Sequence, residues 1–167
     1  MTVGKGWKVT TDKVARVMQD IQAMTADDLF VGVSASTTKR KDGKITNAAI
    51  AYQNEYGSAA NNIPPRPFLV PGVDAVRDTV TAEIAKGLVR SFKNPGAMGA
   101  ALERSGTKAV NSVKTQIRTM GSYLPNSPTY KHRKSYCKKH GIRFRSTVLQ
   151  FEGSLINSIT YVVKRAK

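Results

Sequence analysis

Three prolines within four positions limit what the middle of this chain can fold into. In Ile63-Pro64-Pro65-Arg66-Pro67-Phe68-Leu69 each proline fixes φ, removes a backbone donor and disfavours the helical region for the residue before it. The segment is neither a helix nor a central strand, and the expectation is an extended arm over 58–70. Such an arm holds its side chains at set positions and loses little entropy on docking. Arg66 is presented between prolines, and Phe68 and Leu69 supply an apolar anchor at the far end.

The residues before the arm read as a helix from Ala48 to Tyr56, capped by Asn47 and stopped by Gly57 in a left-handed conformation. Upstream, Thr11 or Asp12 caps a first helix in which Val14, Val17, Ile21 and Met24 form one core-facing stripe. Leu29 to Val33 reads as a buried strand, followed by a hairpin tip over 34–47 with its turn at Asp42-Gly43. After the arm, Val73, Val76, Val80, Ile84 and Leu88 share one face of a long helix that begins near Pro71 and breaks at Asn94-Pro95-Gly96. A second helix from Ala97 to Met120 places Met98, Leu102, Ala109, Val113, Ile117 and Met120 on one side. The small residues Ala97, Gly99, Ala100, Ala101, Ser105 and Gly106 permit close approach, within the chain or to a neighbour. Periodicity is lost over 122–146, a long basic loop, and Ile159 to Val163 alternates as a last strand. The expected fold class is α+β: a small antiparallel sheet packed with a long helical hairpin, a proline-rich arm and a basic loop, in one domain over 1–167.

Charge is distributed unevenly. The chain has 27 Lys+Arg against 11 Asp+Glu, a formal net charge of +16. Up to Glu103 the excess is +3; from Arg104 onward only Glu152 opposes 14 basic residues. A field of one sign at this density favours an anionic partner, either nucleic acid or an acidic protein surface. Lys131, Arg133, Lys134, Lys138, Lys139, Arg143 and Arg145 are interleaved with Tyr130, Tyr136 and Phe144. Basic groups neutralise phosphates and aromatic faces stack on bases, so contact with DNA or an acidic partner is expected of these seven cations. No motif for sequence-specific reading accompanies them.

Catalytic and metal chemistry is not expected. His132, Cys137 and His140 lie close together, but three ligands at irregular spacing among like-charged cations make a poor zinc site. No carboxylate pair suits glycoside or phosphate chemistry, no glycine-rich phosphate loop follows a strand, and no cofactor is implied. The single cysteine excludes an internal disulfide. No apolar run approaches the ~20 residues of a membrane span, and Thr2 to Thr11 lacks an apolar signal core, so synthesis in the cytoplasm and no membrane partner are expected. Glu55 has two readings: a partner for a basic residue such as Arg66 of its own or a neighbouring subunit, or a solvated position in the last helical turn.

The turn Asn54-Glu55-Tyr56-Gly57, followed closely by Ile63-Pro64-Pro65-Arg66-Pro67-Phe68-Leu69, resembles the signature of tailed-bacteriophage neck and tail-completion (head-tail joining) proteins. A second block, Pro125 to Thr129 and then Leu149 to Val163, is similar to that family's closing motif, with Glu152 where threonine is usual and Phe151 where aspartate is common. The two blocks cover about a third of the chain. The resemblance implies a non-catalytic structural virion protein, forming a ring, six copies in the usual arrangement, around the DNA channel at the head-tail junction. Its implied partners are further copies of itself, neighbouring neck, connector or tail proteins, and packaged DNA without sequence preference. Glu55, Tyr56, Ile63, Pro64, Arg66, Pro67, Phe68 and Leu69 are the expected subunit-interface residues. A tail terminator capping the tail tube, and a non-specific DNA-binding protein, are the alternatives.

Overall fold

The computed structural model describes residues 25–33, 45–94, 96–120 and 154–165, together with positions 14, 18, 21, 22, 138, 139 and 141. The described elements are strand β1 (Asp27–Val33), helix α1 (Asn47–Tyr56), a 3-10 turn (Ala59–Asn61), helices α2 (Leu69–Asp74), α3 (Arg77–Ser91), α4 (Ala97–Thr119) and α5 (Ser154–Ser158), and strand β2 (Ile159–Arg165). They form an α+β structure with a two-stranded antiparallel sheet.

Helix α4 is the axis. Met98, Ala101, Leu102, Ser105, Ala109, Val113 and Ile117 recur at three- and four-residue steps and are all buried, which is the stripe an amphipathic helix turns to a core. Helix α3 lies against its first half in the opposite direction, with Gly87 facing Ala101 and Glu83 reaching Arg104 and Lys108. Contact is close: a β-carbon on Gly87 would lie 2.3 Å from that of Ala101. Helix α2 meets the second half, where a β-carbon on Gly72 would come within 2.7 Å of the Val113 backbone. The small residues of α4 therefore serve packing within the chain, at Ala101 against α3 and at Gly106 against the ring of Tyr161.

The sheet pairs Asp27 with Arg165 through to Val33 with Ile159. Successive side chains alternate between its faces. Leu29, Val31, Val33, Ile159, Tyr161 and Val163 pack toward α4 and the cores around it, whereas the cross-strand neighbours Phe30 and Val162 lie on the outer face, 56% and 41% exposed. The expectation of a buried strand is corrected accordingly. Nothing among the described residues covers the second face.

Three further expectations change. The α1 cap is Thr46, whose Oγ1 accepts the Ala49 N–H at 3.2 Å; Asn47 is buried and its Nδ2 donates to the Ser154 carbonyl at 3.4 Å. The helix expected from Pro71 is two helices divided at Ala75-Val76. Apolar spacing hides this break because the Val76 N–H still bonds the Val73 carbonyl at 3.1 Å and its own carbonyl accepts from Val80 at 2.9 Å. Positions 14, 18 and 21 are helical, but Val14 and Ile21 of the stripe expected to face the core are exposed, at 68% and 36%. Val17 and Met24 of the same stripe, positions 34–44 of the hairpin tip, and 122–146 apart from 138, 139 and 141 lie outside the described residues.

Candidate functional site

On α1, four-residue steps bring Asn47, Ala51 and Glu55 onto one buried face. Glu55 in the last turn sets its carboxylate beneath the start of α2. Its Oε2 accepts the N–H groups of Phe68 at 2.8 Å and Leu69 at 2.9 Å, and its Oε1 accepts that of Val70 at 3.0 Å. These donors open a helix and have no partner within it. Pro71 comes next and has no N–H, and Gly72 makes the first intrahelical bond, to the Phe68 carbonyl at 3.2 Å. Every donor at the start of α2 is thus accounted for, and a negative charge meets the positive end of the peptide dipoles.

Between Glu55 and Phe68 the chain closes a compact clasp. Gly57 takes φ 78 and ψ 177, a positive φ that favours glycine, though not the left-handed helical stop expected of it. A β-carbon there would also press to 3.0 Å from the Ile63 carbonyl oxygen and the Pro65 nitrogen. Ser58 and Ile63 exchange backbone hydrogen bonds, each 2.9 Å, around the 3-10 turn, and Asn62 supplies the left-handed residue at φ 51. The Arg66 N–H donates to the Asn54 carbonyl at 2.6 Å. The proline segment is therefore tied to the last turn of α1 at Asn54 and Glu55 and to Ser58 just beyond it, and the arm expected to be extended over 58–70 instead contains the 3-10 turn Ala59–Asn61 and the first residues of α2.

This geometry sorts the expected interface residues. Phe68 is fully buried in the core with Val113, Ile117 and Ile159, and Leu69 packs against the same cluster. The anchor expected to dock on a neighbour is instead an anchor in its own domain, because an apolar side chain this large gains most from an enclosed site. Glu55 is likewise corrected: it is buried and both carboxylate oxygens accept backbone N–H groups of the same chain, so it is not the solvated position, and its observed partners are these N–H groups rather than Arg66. Ile63, Pro64, Arg66 and Pro67 are half-buried and Tyr56 is exposed. Sequence reasoning passed over Tyr52, whose ring centroid lies 4.9 Å from that of Tyr56 at 48°. The four-residue spacing of two tyrosines on a helix was the signal that could have found it.

Of the seven cations in the basic loop, Lys138 and Lys139 are described, helical and exposed; Lys131, Arg133, Lys134, Arg143 and Arg145 lie outside the described residues. So do His132, Cys137 and His140, and no metal-binding group of His, Cys, Asp and Glu occurs among the described residues. No described helix is long and apolar enough to cross a membrane. The outer sheet face carries a shallow open groove lined by Phe30, Gly32, Thr160, Val162 and Lys164.

Two electrostatic contacts brace the scaffold. Glu83 meets Arg104 Nε at 2.7 Å and Lys108 Nζ at 3.4 Å, and the Arg104 hydrogen bond holds its carboxyl below the usual range despite partial desolvation. The Tyr161 hydroxyl donates to Glu103, which raises its pKa because ionisation would destroy that bond and set two negative charges together.

No protein-family model, characterised protein or solved structure matches this chain.

Proposed function

We propose that the protein is a structural subunit of a tailed-phage virion that assembles as a six-membered ring around the DNA channel at the head-tail junction. One observation carries the reading: the Asn54-Glu55-Tyr56-Gly57 turn and the Ile63 to Leu69 run, the two parts of the resembling signature, form a single clasped unit. Glu55 joins them through hydrogen bonds to Phe68, Leu69 and Val70. Their chemistry is that of a rigid presenting surface, with Tyr52, Tyr56 and Pro65 exposed on a backbone already fixed before any partner arrives. Preorganisation of this kind lowers the entropy lost on association. In the ring, the exposed edge of the clasp meets the next copy in a heterologous contact that closes by rotation. The cations from Lys131 to Arg145 meet DNA phosphates or an acidic neighbour.

Native mass spectrometry of the purified protein over a concentration series tests the ring. A six-copy species that is lost in a Tyr52→Ala/Tyr56→Ala variant with unchanged folding is the expected result. Monomer at every concentration, with or without duplex DNA, contradicts the ring. Genes for other head-tail components flanking its reading frame are expected, and their absence contradicts the virion assignment.

A further inference from the structure

Among the described residues, one side of helix α3 is packed against the fold and the other is not. Val80, Ile84, Gly87, Leu88 and Ser91 turn toward α4 and are buried or half-buried. On the other side Ala85, Val89 and Phe92 follow one another at four- and three-residue steps, and Lys86, Arg90 and Lys93 repeat that spacing one position on. Side chains so spaced form two adjacent stripes on a helix. Helical hydrogen bonding continues through the last of them, since the Asn94 N–H donates to the Arg90 carbonyl at 2.9 Å. All six residues are exposed, with Val89 at 70% and Phe92 at 53%.

Among the described residues, the cations of this face meet no acid. Glu83, on the same helix, is held by Arg104 and Lys108 of α4, and Lys86, Arg90 and Lys93 pair with no described residue. A cation in the last turn of a helix complements its dipole, which accounts for Arg90 but not for an apolar stripe beside it. Isolated exposed apolar residues are ordinary; an aligned apolar stripe edged by unpaired cations is a complementary surface for something apolar and acidic at once.

We infer that this face of α3 is a docking site for an acidic amphipathic helix of a partner protein. The partner's apolar ridge lies along Ala85, Val89 and Phe92, and its carboxylates meet Lys86, Arg90 and Lys93. Duplex DNA fits less well, because phosphates would use the basic stripe alone and leave Val89 and Phe92 uncovered. A second copy fits less well too: α3 and the two residues after it carry one exposed carboxylate, Asp78, against Arg77, Lys86, Arg90 and Lys93, so two such faces repel. The site uses no residue of the clasp and does not depend on the ring reading.

Fluorescence anisotropy with a synthetic helix of roughly 20 residues, about six turns, carrying leucine at one stripe and glutamate elsewhere, is the direct test. Binding should weaken at least about tenfold, ~1.4 kcal/mol, in Val89→Asp and in Lys86→Glu/Arg90→Glu, with melting temperature unchanged. A control peptide with serine for leucine should bind the native protein weakly, and duplex DNA binding should be unaffected by Val89→Asp. Equal binding of the serine peptide, or no binding of the leucine peptide, overturns the proposal. Loss of DNA binding in Val89→Asp, or a dimer in light scattering that Val89→Asp abolishes, assigns the face to DNA or to a second copy and overturns it equally.

Discussion

The Glu55 carboxylate accepts the backbone N–H of Phe68 at 2.8 Å, a buried contact across a sequence separation of 13 that fixes where the proline segment re-enters the core. Two neighbouring N–H groups complete the cradle. A charged acceptor and three backbone donors are each costly to bury alone, and each removes the other's penalty.

Glu55→Ala should therefore destabilise the protein by about 3 kcal/mol, since hydrogen bonds to charged groups are strong and the orphaned donors stay partly buried. Glu55→Gln keeps the shape but replaces one accepting oxygen with an NH2 donor, which leaves the N–H facing it without an acceptor, and should lose about 1–2 kcal/mol. Urea denaturation measures both. A Glu55→Ala protein within ~0.5 kcal/mol of the native chain, the range of an ordinary surface change, would show that the cradle is incidental.

Phe68→Ala should lower stability by about 3–5 kcal/mol through loss of a fully buried ring. Tyr52→Ala and Tyr56→Ala, at exposed positions, should each change stability by under ~1 kcal/mol while reducing assembly. Parallel measurement of thermal unfolding and oligomer mass separates the two roles. Equal effects of all three on unfolding would remove the tyrosines as a presenting surface.

Close packing along α4 makes a second contrast. Gly87→Ala forces a β-carbon toward Ala101, and overpacking of this kind costs about 1–3 kcal/mol. Gly99→Ala meets nothing within 4 Å and should stabilise by ~0.5 kcal/mol through helix propensity. A series of denaturant midpoints in which both alanines behave alike would contradict the helix contact described here.

Acid and alkaline limbs of stability should be separable. Glu83 is held below its ordinary value by Arg104, so its contribution is present above pH ~4.3, the unfolded carboxylate value, and fades as pH falls through the lower folded value. Tyr161 is raised by Glu103, so its contribution is present below pH ~10 and fades as pH rises through the higher folded value. Glu83→Gln should flatten the acid limb and Tyr161→Phe the alkaline limb in denaturant midpoints measured against pH. An unchanged alkaline limb in Tyr161→Phe refutes the assignment to that hydroxyl.

Binding to duplex DNA should be sequence-blind and fall steeply with salt, as expected when cations release condensed counterions. Neutralising Lys131, Arg133, Lys134, Arg143 and Arg145 should reduce the salt slope. A sequence-selective complex that survives high salt would be incompatible with it.

The sequence by itself determined what depends on neighbours within a few residues. Proline dihedrals kept Ile63 to Pro67 out of helix, a three- and four-residue period marked Met98 to Ile117 as the buried stripe of α4, and alternation marked Ile159 to Val163 as a strand. Only the tertiary structure decided that Phe68 faces inward, that a break at Ala75-Val76 divides one apolar period between two helices, and that Phe30 and Val162 share the exposed outer face of the sheet. Periodicity reports that a side chain will be buried or exposed against something, without saying what. Glu55 was the hardest to read for a sharper reason. Its partners are backbone N–H groups, which nearly every residue carries, so no composition or motif distinguishes the three that fold beneath it.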